Sequence, residues 1–213
     1  MSRIVDQILA KPIIYDAWQF LVGARSCHAR FISDMVRPAS GERILDLGCG
    51  VGASVQFLPD EISYVGIDVS APYIELARAK YGNWGKFICA DVTQFDPATL
   101  GHFDKAFSFG VLHHLSDEQA ARAMDLIQNV VRRGGTFTTI DPCYLCGQHA
   151  LAKLVIDNDR GKYVRDQAGF ERLFSDLGTV RSRLFHDLLR IPYTQIVMEV
   201  ILDPVSRNMS GAH

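Results

Sequence analysis

Apolar and polar positions change rhythm twice along this chain. In residues 2–36 the apolar positions recur at helical spacing, with Ile14, Trp18, Leu21 and Val22 in one stripe. They predict two or three helical pieces, one opened by Pro12 near its first turn. From residue 43 short apolar runs alternate with amphipathic ones. "RILDL", "SYVGID", "KFICAD", "FDKAFSFGV" and "GTFTTID" read as strands. Residues 53–58, "APYIELARAKY" and "DEQAARAMDLIQNVVRR" read as helices, the last ending on Arg132 and Arg133. Strands alternating with helices predict a doubly wound, mostly parallel α/β sheet of seven strands with helices on both faces. After Asp141 the pattern predicts helices over 147–156 and 166–176. Two strands follow, "TVRSRLFHDLL" and "YTQIVMEVIL", with a turn near Arg190–Pro192, as a terminal antiparallel hairpin. Residues 204–213 read as a frayed tail.

The 213 residues, 48% hydrophobic and 22% charged, fit one globular domain with a full core. "RPASGE" at 37–42 is a turn, and no linker divides the chain. The expected division is a helical cap over 1–36, a core over 40–141, a second cap segment over 142–175 and the hairpin over 176–203. A net charge of −2 without a basic stripe argues against a nucleic-acid substrate. No apolar run reaches the roughly 18–20 residues that span a bilayer. Asp6, Lys11 and Asp16 break the N-terminal segment, which does not read as a signal peptide, so the expected compartment is the cytoplasm. Five cysteines at irregular spacing form no disulfide framework.

The candidate chemistry starts in "RILDLGCGVGASVQF", residues 43–57. Gly48, Gly50 and Ala53 satisfy the loose dinucleotide pattern G-x-G-x-x-G/A, and Gly48, Gly50 and Gly52 satisfy G-x-G-x-G. In a doubly wound sheet such a turn lets backbone approach a ligand beyond the carboxyl ends of the strands. Asp46 separates the two patterns. A carboxylate beside a phosphate loop repels a pyrophosphate, whereas it attracts a sulfonium ligand carrying an α-ammonium group. Asp68 stands about twenty residues on, where a carboxylate can bind both hydroxyls of a ribose, a feature common to both ligand types. Cys49, between glycines, reads as a small packing residue.

"ILDLGCGVG" resembles the first motif of the class I S-adenosylmethionine-dependent methyltransferases. "CADVTQF", "FDKAFSFGVLHHL" and "RRGGTFTTIDP" resemble the family's later strand-end segments, in order, so the likeness covers residues 40 to about 141. The resemblance implies a Rossmann-like methyltransferase fold with S-adenosylmethionine as cofactor. It implies cofactor contacts from Asp46, Gly48, Cys49, Gly50, Gly52, Asp68, Val69, Asp91, Val92 and Gly110, with Asp91 meeting the adenine amino group. The methyl group would pass by in-line displacement to a small-molecule acceptor, oxygen being favoured over nitrogen or carbon. Rival readings are a non-catalytic cofactor-binding or partner subunit and a nicotinamide-dependent oxidoreductase.

The acceptor side is more individual. Tyr15, His113 and Asp141 are candidate catalytic groups. Tyr15, Trp18, Gln19, His113, Tyr144, His149, Arg160, Arg165 and Tyr193 are candidates for the pocket wall, and His28 is a further one. Of the two adjacent histidines, His114 is expected to be packed and hydrogen-bonded, and His113 is a candidate to reach the pocket. A bacterial subgroup of the family shows a similar Tyr15, Gln19, Gly23 run, a similar Asp159-Arg160-Gly161 with Val164-Arg165, and a similar Ile191-Pro192-Tyr193. Arg160 and Arg165 could grip a carboxylate or phosphate by paired bonds, or tie the cap to the body through Asp141 or Asp187. Cys143, Cys146 and His149 stand at metal-like spacing in "CYLCGQH", but without a second cysteine pair no metal is expected.

Overall fold

A computed structural model describes residues 23–159 and 161–203. Tyr15, Trp18, Gln19 and Arg160 therefore lie outside the described residues, as does the expected tail. The elements are α1 (Ala24–Arg30), β1 (Arg43–Leu47), β2 (Ser63–Asp68), α2 (Ala71–Tyr81), β3 (Gly85–Cys89), β4 (Phe103–Phe109), α3 (Asp117–Val130), β5 (Val131–Tyr144), α4 (Ala150–Asp157), β6 (Arg165–Asp166), α5 (Gln167–Phe174), β7 (Gly178–Phe185) and β8 (Gln195–Leu202). The sheet order is β3-β2-β1-β4-β5-β8-β7, with the two-residue β6 beside the end of β5. Strands β1 to β5 pair in parallel, and β8 runs antiparallel to β5 and β7. The sheet is thus mostly parallel with an antiparallel end, and this compels the apolar runs of the sequence, because a parallel sheet is covered on both faces.

Each face has its own core. One gathers Leu45, Ala106, Ile127, Phe137, Phe170 and Met198, under α3 and α5. The other gathers Phe31, Ile44, Ile74, Phe107 and Val197, under α1, its continuation and α2. Helix α3 starts where its sequence dictates: Ser116 Oγ accepts from Gln119 N–H, Gln119 Oε1 accepts from Ser116 N–H, and Asp117 and Glu118 occupy the positive first turn. Its end differs from expectation. Val131, Arg132 and Arg133 belong to β5, because the chain leaves the helix at Val131 and pairs with Phe103 before a register shift that includes Gly134 at φ 73°. Outer strand β7 turns Thr179, Arg181 and Arg183 to solvent, which blunts an open sheet edge.

Asp159 and residues 161–165 strap the segment after β5 to the sheet. The Tyr163 N–H donates to the His113 carbonyl at 2.9 Å. Gly161 lies against the His113 ring so closely that a Cβ there would overlap it. The His113 ring bonds Asp141 Oδ1 through Nδ1 at 2.8 Å and pairs with Asp159 Oδ1 through Nε2 at 3.4 Å. Arg165 donates to the carbonyls of Leu112 at 2.9 Å and Leu115 at 2.8 Å and to Asp117 Oδ1 at 2.7 Å. Arg165 is therefore a rivet between the strap and the turn after β4, and it reaches Asp117 where Asp141 or Asp187 was expected. Of the two adjacent histidines, His113 is buried and His114 is exposed where packing was expected of it, because the short helical turn Leu112–His114 points His113 inward.

Two predictions follow from this strap. Lysine has one point charge where the guanidinium forks to an acid and two carbonyls. Arg165→Lys should therefore lower unfolding free energy by about 2–3 kcal/mol in chemical denaturation, and a change within error would show the rivet to be idle. For His113, burial lowers proton affinity, but the bonds to and charges of Asp141 and Asp159 outweigh it and push the pKa up to about 9, from an ordinary 6.5. A raised histidine stabilises fully below its unfolded value and loses that contribution as pH rises through the folded one. The melting temperature should fall as pH rises through about 9, and His113→Gln should flatten that fall. Parallel pH profiles in the two proteins would remove the charge from the strap.

Candidate active site

The site grows from the carboxyl edge of the parallel strands. At the end of β1 the chain turns through Gly48, Gly50 and Gly52, at φ 75°, 54° and 75°. This left-handed region is open to glycine and strained for other residues. The three glycines differ in surroundings. A Cβ at Gly48 would overlap Val111, and one at Gly52 would press on Tyr81 and Phe87, but one at Gly50 would meet nothing within 4 Å. Gly48 and Gly52 serve packing, and Gly50 is the point where bare backbone faces open space.

Asp68, at the end of β2, stands beside that point. Its Oδ2 accepts from Gly50 N–H at 2.9 Å, and its Oδ1 from Ser70 N–H at 2.8 Å. Each oxygen keeps lone-pair capacity for one more donor. Asp91, after β3, accepts from Thr93 N–H at 2.9 Å, from the Thr93 hydroxyl at 2.7 Å and from Gln94 Nε2 at 3.0 Å, and the Thr93 bonds above all hold its carboxyl below the usual range. Val69 projects at 72% exposure, and Val92 is half-buried beside Asp91. Gly110 closes β4 at φ 68°. Cys49 is buried, and a Cβ at Gly66 would collide with its Sγ, so it packs against β2 as read from the sequence.

Asp46 does not open onto the cradle. It is 1% exposed and accepts from the Tyr64 hydroxyl at 2.7 Å. Burial pushes its pKa up to about 7 against the hydrogen bonds from Tyr64 and Ser54, and the charge of Asp68 adds to the rise. Ser54 in turn lies 3.1 Å from His28 Nε2. Burial lowers His28 to about 4, so this ring is neutral at physiological pH, and a serine that donates to Asp46 receives the His28 N–H. His28 also stacks on Phe109 with centroids 3.7 Å apart. Through these contacts α1 is joined to the underside of the glycine turn.

On the far side of β4, a cavity of about 340 Å³ lies between the loop after β5 and the segment before β8. His149 and Tyr193 line it together, as do Leu145, Gln148, His186 and Thr194, none of which the sequence singled out. Tyr144 is absent from this wall and donates instead to Asp157 at 2.9 Å. His113 and Asp141 are bonded to each other, and Arg165 is held in the strap. Cys143 is buried in the core while Cys146 is exposed, so the two do not face a common point with His149, whose Nδ1 accepts from Leu151 N–H at 3.2 Å as the cap of α4. Among the described residues no helix is long and apolar enough to cross a membrane.

Comparison with known proteins agrees with this geometry. A model of the methyltransferase domain matches residues 44–135. An O-methyltransferase of Pyrenophora dematioidea is 30% identical over 160 residues, which cover 67% of this chain and 59% of that protein. The chain thus spans less than two thirds of that relative's length. In fold it is similar to the N-methyltransferase NodS of Bradyrhizobium japonicum, with a TM-score of 0.66 at 18% identity over 85% of this chain and 97% of that one. It is likewise similar to magnesium protoporphyrin IX methyltransferase of Synechocystis with bound SAH, with a TM-score of 0.61 at 20% identity over 93% and 97%. With the ordered motifs, the strand order and these matches in agreement, the chain belongs to the class I S-adenosylmethionine-dependent methyltransferases.

Proposed function

We propose that this chain uses S-adenosylmethionine to methylate an oxygen of a small-molecule acceptor. The observation that carries the reading is the pairing of Gly50 with Asp68: open backbone beside a carboxylate that is held by two N–H groups and retains acceptor capacity. When bound, the cofactor supplies the methyl group and its sulfonium leaving group. Gly48, Cys49, Gly50 and Gly52 shape the floor under it. Asp68 accepts from the ribose hydroxyls, Val69 and Val92 cover the adenine, Asp91 receives its amino group, and Gly110 keeps the end of β4 clear. Asp46 sets the potential beneath the turn, a positioning part that its burial favours over direct contact. The segment over 40–141 holds the cofactor, and residues 142–175 with the start of β8 wall the acceptor side. The O-methyltransferase relative supports oxygen as the atom methylated.

The chain's task is to align nucleophile, methyl and sulfur and to exclude water. His113 does not act as general base in this scheme. Its two ring nitrogens are engaged, and it keeps its proton up to about pH 9. A base must have free capacity near the operating pH.

Isothermal titration tests the cofactor assignment. S-adenosylhomocysteine should bind with micromolar affinity and NAD should not bind. Asp68→Ala should weaken the former by about 1.5–3 kcal/mol, the range for hydrogen bonds to a charged group. Equal or tighter NAD binding would reverse the assignment.

Asp46 gives a second, independent expectation. A bound α-ammonium group near the turn favours the ionised acid, so binding releases a proton wherever Asp46 is protonated in the free protein. Affinity should rise as pH increases through about 7 and level off above it. Asp46→Asn should remove this dependence and, by removing a buried charge, raise the melting temperature at alkaline pH. An unchanged pH profile in the variant would detach Asp46 from the ligand.

A further inference from the structure

Two neighbouring strand ends flank the cradle, β1 with its glycine turn and β4 with Gly110, and one side chain from outside the sheet touches the support of both. His28 of α1 lays its ring flat on Phe109, the residue before Gly110, with centroids 3.7 Å and planes 10° apart. Its Nε2 lies 3.1 Å from the Ser54 hydroxyl. Ser54 belongs to the turn itself, since the next N–H, that of Val55, donates to the Gly52 carbonyl at 3.1 Å. Ser54 is buried, and its hydroxyl bonds Asp46, the penultimate residue of β1. A chain of three polar side chains, His28, Ser54 and Asp46, therefore runs from α1 to the strand end beneath the glycines.

The hydrogens in this chain have a direction. An ionised carboxylate only accepts, so the Ser54 hydroxyl gives its one proton to Asp46 and turns lone pairs to His28. The imidazole then brings the N–H. Burial lowers its proton affinity to about 4, so the ring is neutral and its single proton sits on Nε2. A ring protonated on Nδ1 would take the serine proton and turn it away from Asp46. The tautomer of His28 thus decides whether Asp46 has this donor. Around Asp46 stand also the Tyr64 hydroxyl and the Asp68 carboxylate of β2 and the Cys49 thiol of the turn, which burial keeps protonated. Tyr64 gives a donor and Asp68 opposes ionisation by its charge. On α1, Arg30 pairs with Asp34 and Asp187, and Arg25 lies over Phe57. A second hydroxyl donor carries weight for a carboxyl that burial disfavours as an anion.

We propose that His28 is a positioning residue for the cofactor. Its Nε2–H turns the Ser54 hydroxyl onto Asp46 and so favours the carboxylate that a bound α-ammonium group requires, while its ring backs the end of β4 on the other flank of the cradle. The inference rests on the S-adenosylmethionine reading, and its test separates the two. Affinity for S-adenosylhomocysteine is measured by titration calorimetry from about pH 5.5 to about 8.5, where Asp46 ionises and histidine and carboxylate pairs respond differently. The proteins are wild type, Ser54→Ala, His28→Phe and the double variant. Ser54→Ala should move the midpoint of the rise in affinity to the alkaline side by about one pH unit, or about ten-fold in the ionisation constant, the low end for a hydrogen bond to a charged group. His28→Phe keeps a ring on Phe109 and removes the N–H. It should move the midpoint the same way, and in the Ser54→Ala background it should add nothing, because the ring acts through the serine. A histidine that only packs would change affinity equally at every pH. Nitrogen-15 NMR of the wild-type imidazole tests the same point without a substitution: His28 should be neutral with its proton on Nε2 throughout this range. An Nδ1 proton, a wild-type affinity that does not vary with pH, a midpoint that either single variant leaves in place or moves to the acid side, or a further shift in the double variant overturns the inference. A wild-type chain with no affinity for S-adenosylhomocysteine at any pH overturns the cofactor reading, and this inference with it.

Discussion

Five parallel strands ending on one edge bring acidic groups into a row, and the surrounding structure is arranged to hold that row together. Asp46 closes on β1, Asp68 on β2, Asp91 follows β3, and Asp141 lies near the end of β5. Neighbouring strands are only about 4.8 Å apart, so bare carboxylates there would repel one another. Each receives different local donors. Asp68 takes two backbone N–H groups, Asp91 takes Thr93 and Gln94, and Asp141 takes the N–H and ring of His113. Asp46 has hydroxyl partners and deep burial, and its pKa accordingly moves to the neutral range. The row is anionic and tightly donated to, and it suits a ligand that brings hydroxyl and ammonium donors of its own.

The same donors carry the connection between core and cap. His113 accepts a strap on its carbonyl, offers its ring to Asp141 on one side and Asp159 on the other, and leaves no room for a side chain at Gly161. Asp159 passes the link on to Tyr193, whose ring is part of the cavity wall. One buried imidazolium therefore sets the end of β4, the strap and one wall of the cavity together. A group so placed positions the site, and its proton is part of the structure.

Residues whose role is local were legible in the sequence. The glycine turn, Asp68 and Asp91 at strand ends and the alternation of strands with helices depend on neighbours within a few residues. The antiparallel pair was legible from its two apolar runs, but β7 stops at Phe185 and β8 starts at Gln195, so residues 186–194 join them where a short turn was read. His114 was read as the packed histidine and is exposed, because a single tight turn, with no periodicity to read, decides which of two adjacent side chains faces inward. Arg165 read as a possible anion grip because its partners, Leu112, Leu115 and Asp117, lie about fifty residues earlier. Arg132 and Arg133 read as helix because their side chains suit either element, and only pairing beside β4 puts them in a strand. Gln148 carried no signal at all: a glutamine in a polar loop is common, and what distinguishes it is the bond from Leu145 that leaves its amide nitrogen buried and unpaired.

That bond also explains how the two halves of the site can answer to different constraints. The glycine turn and its acids are built from strand ends, where a shifted residue disturbs a ladder shared by five strands. The cavity wall beyond β5 is built from a turn and a helix cap, Gln148 on Leu145 and His149 on Leu151, whose bonds span two or three residues. Gln148 and His149 lie outside the paired stretches of β5 and β8. A fold arranged this way can hold its cofactor geometry constant and vary its acceptor through a few side chains at the rim.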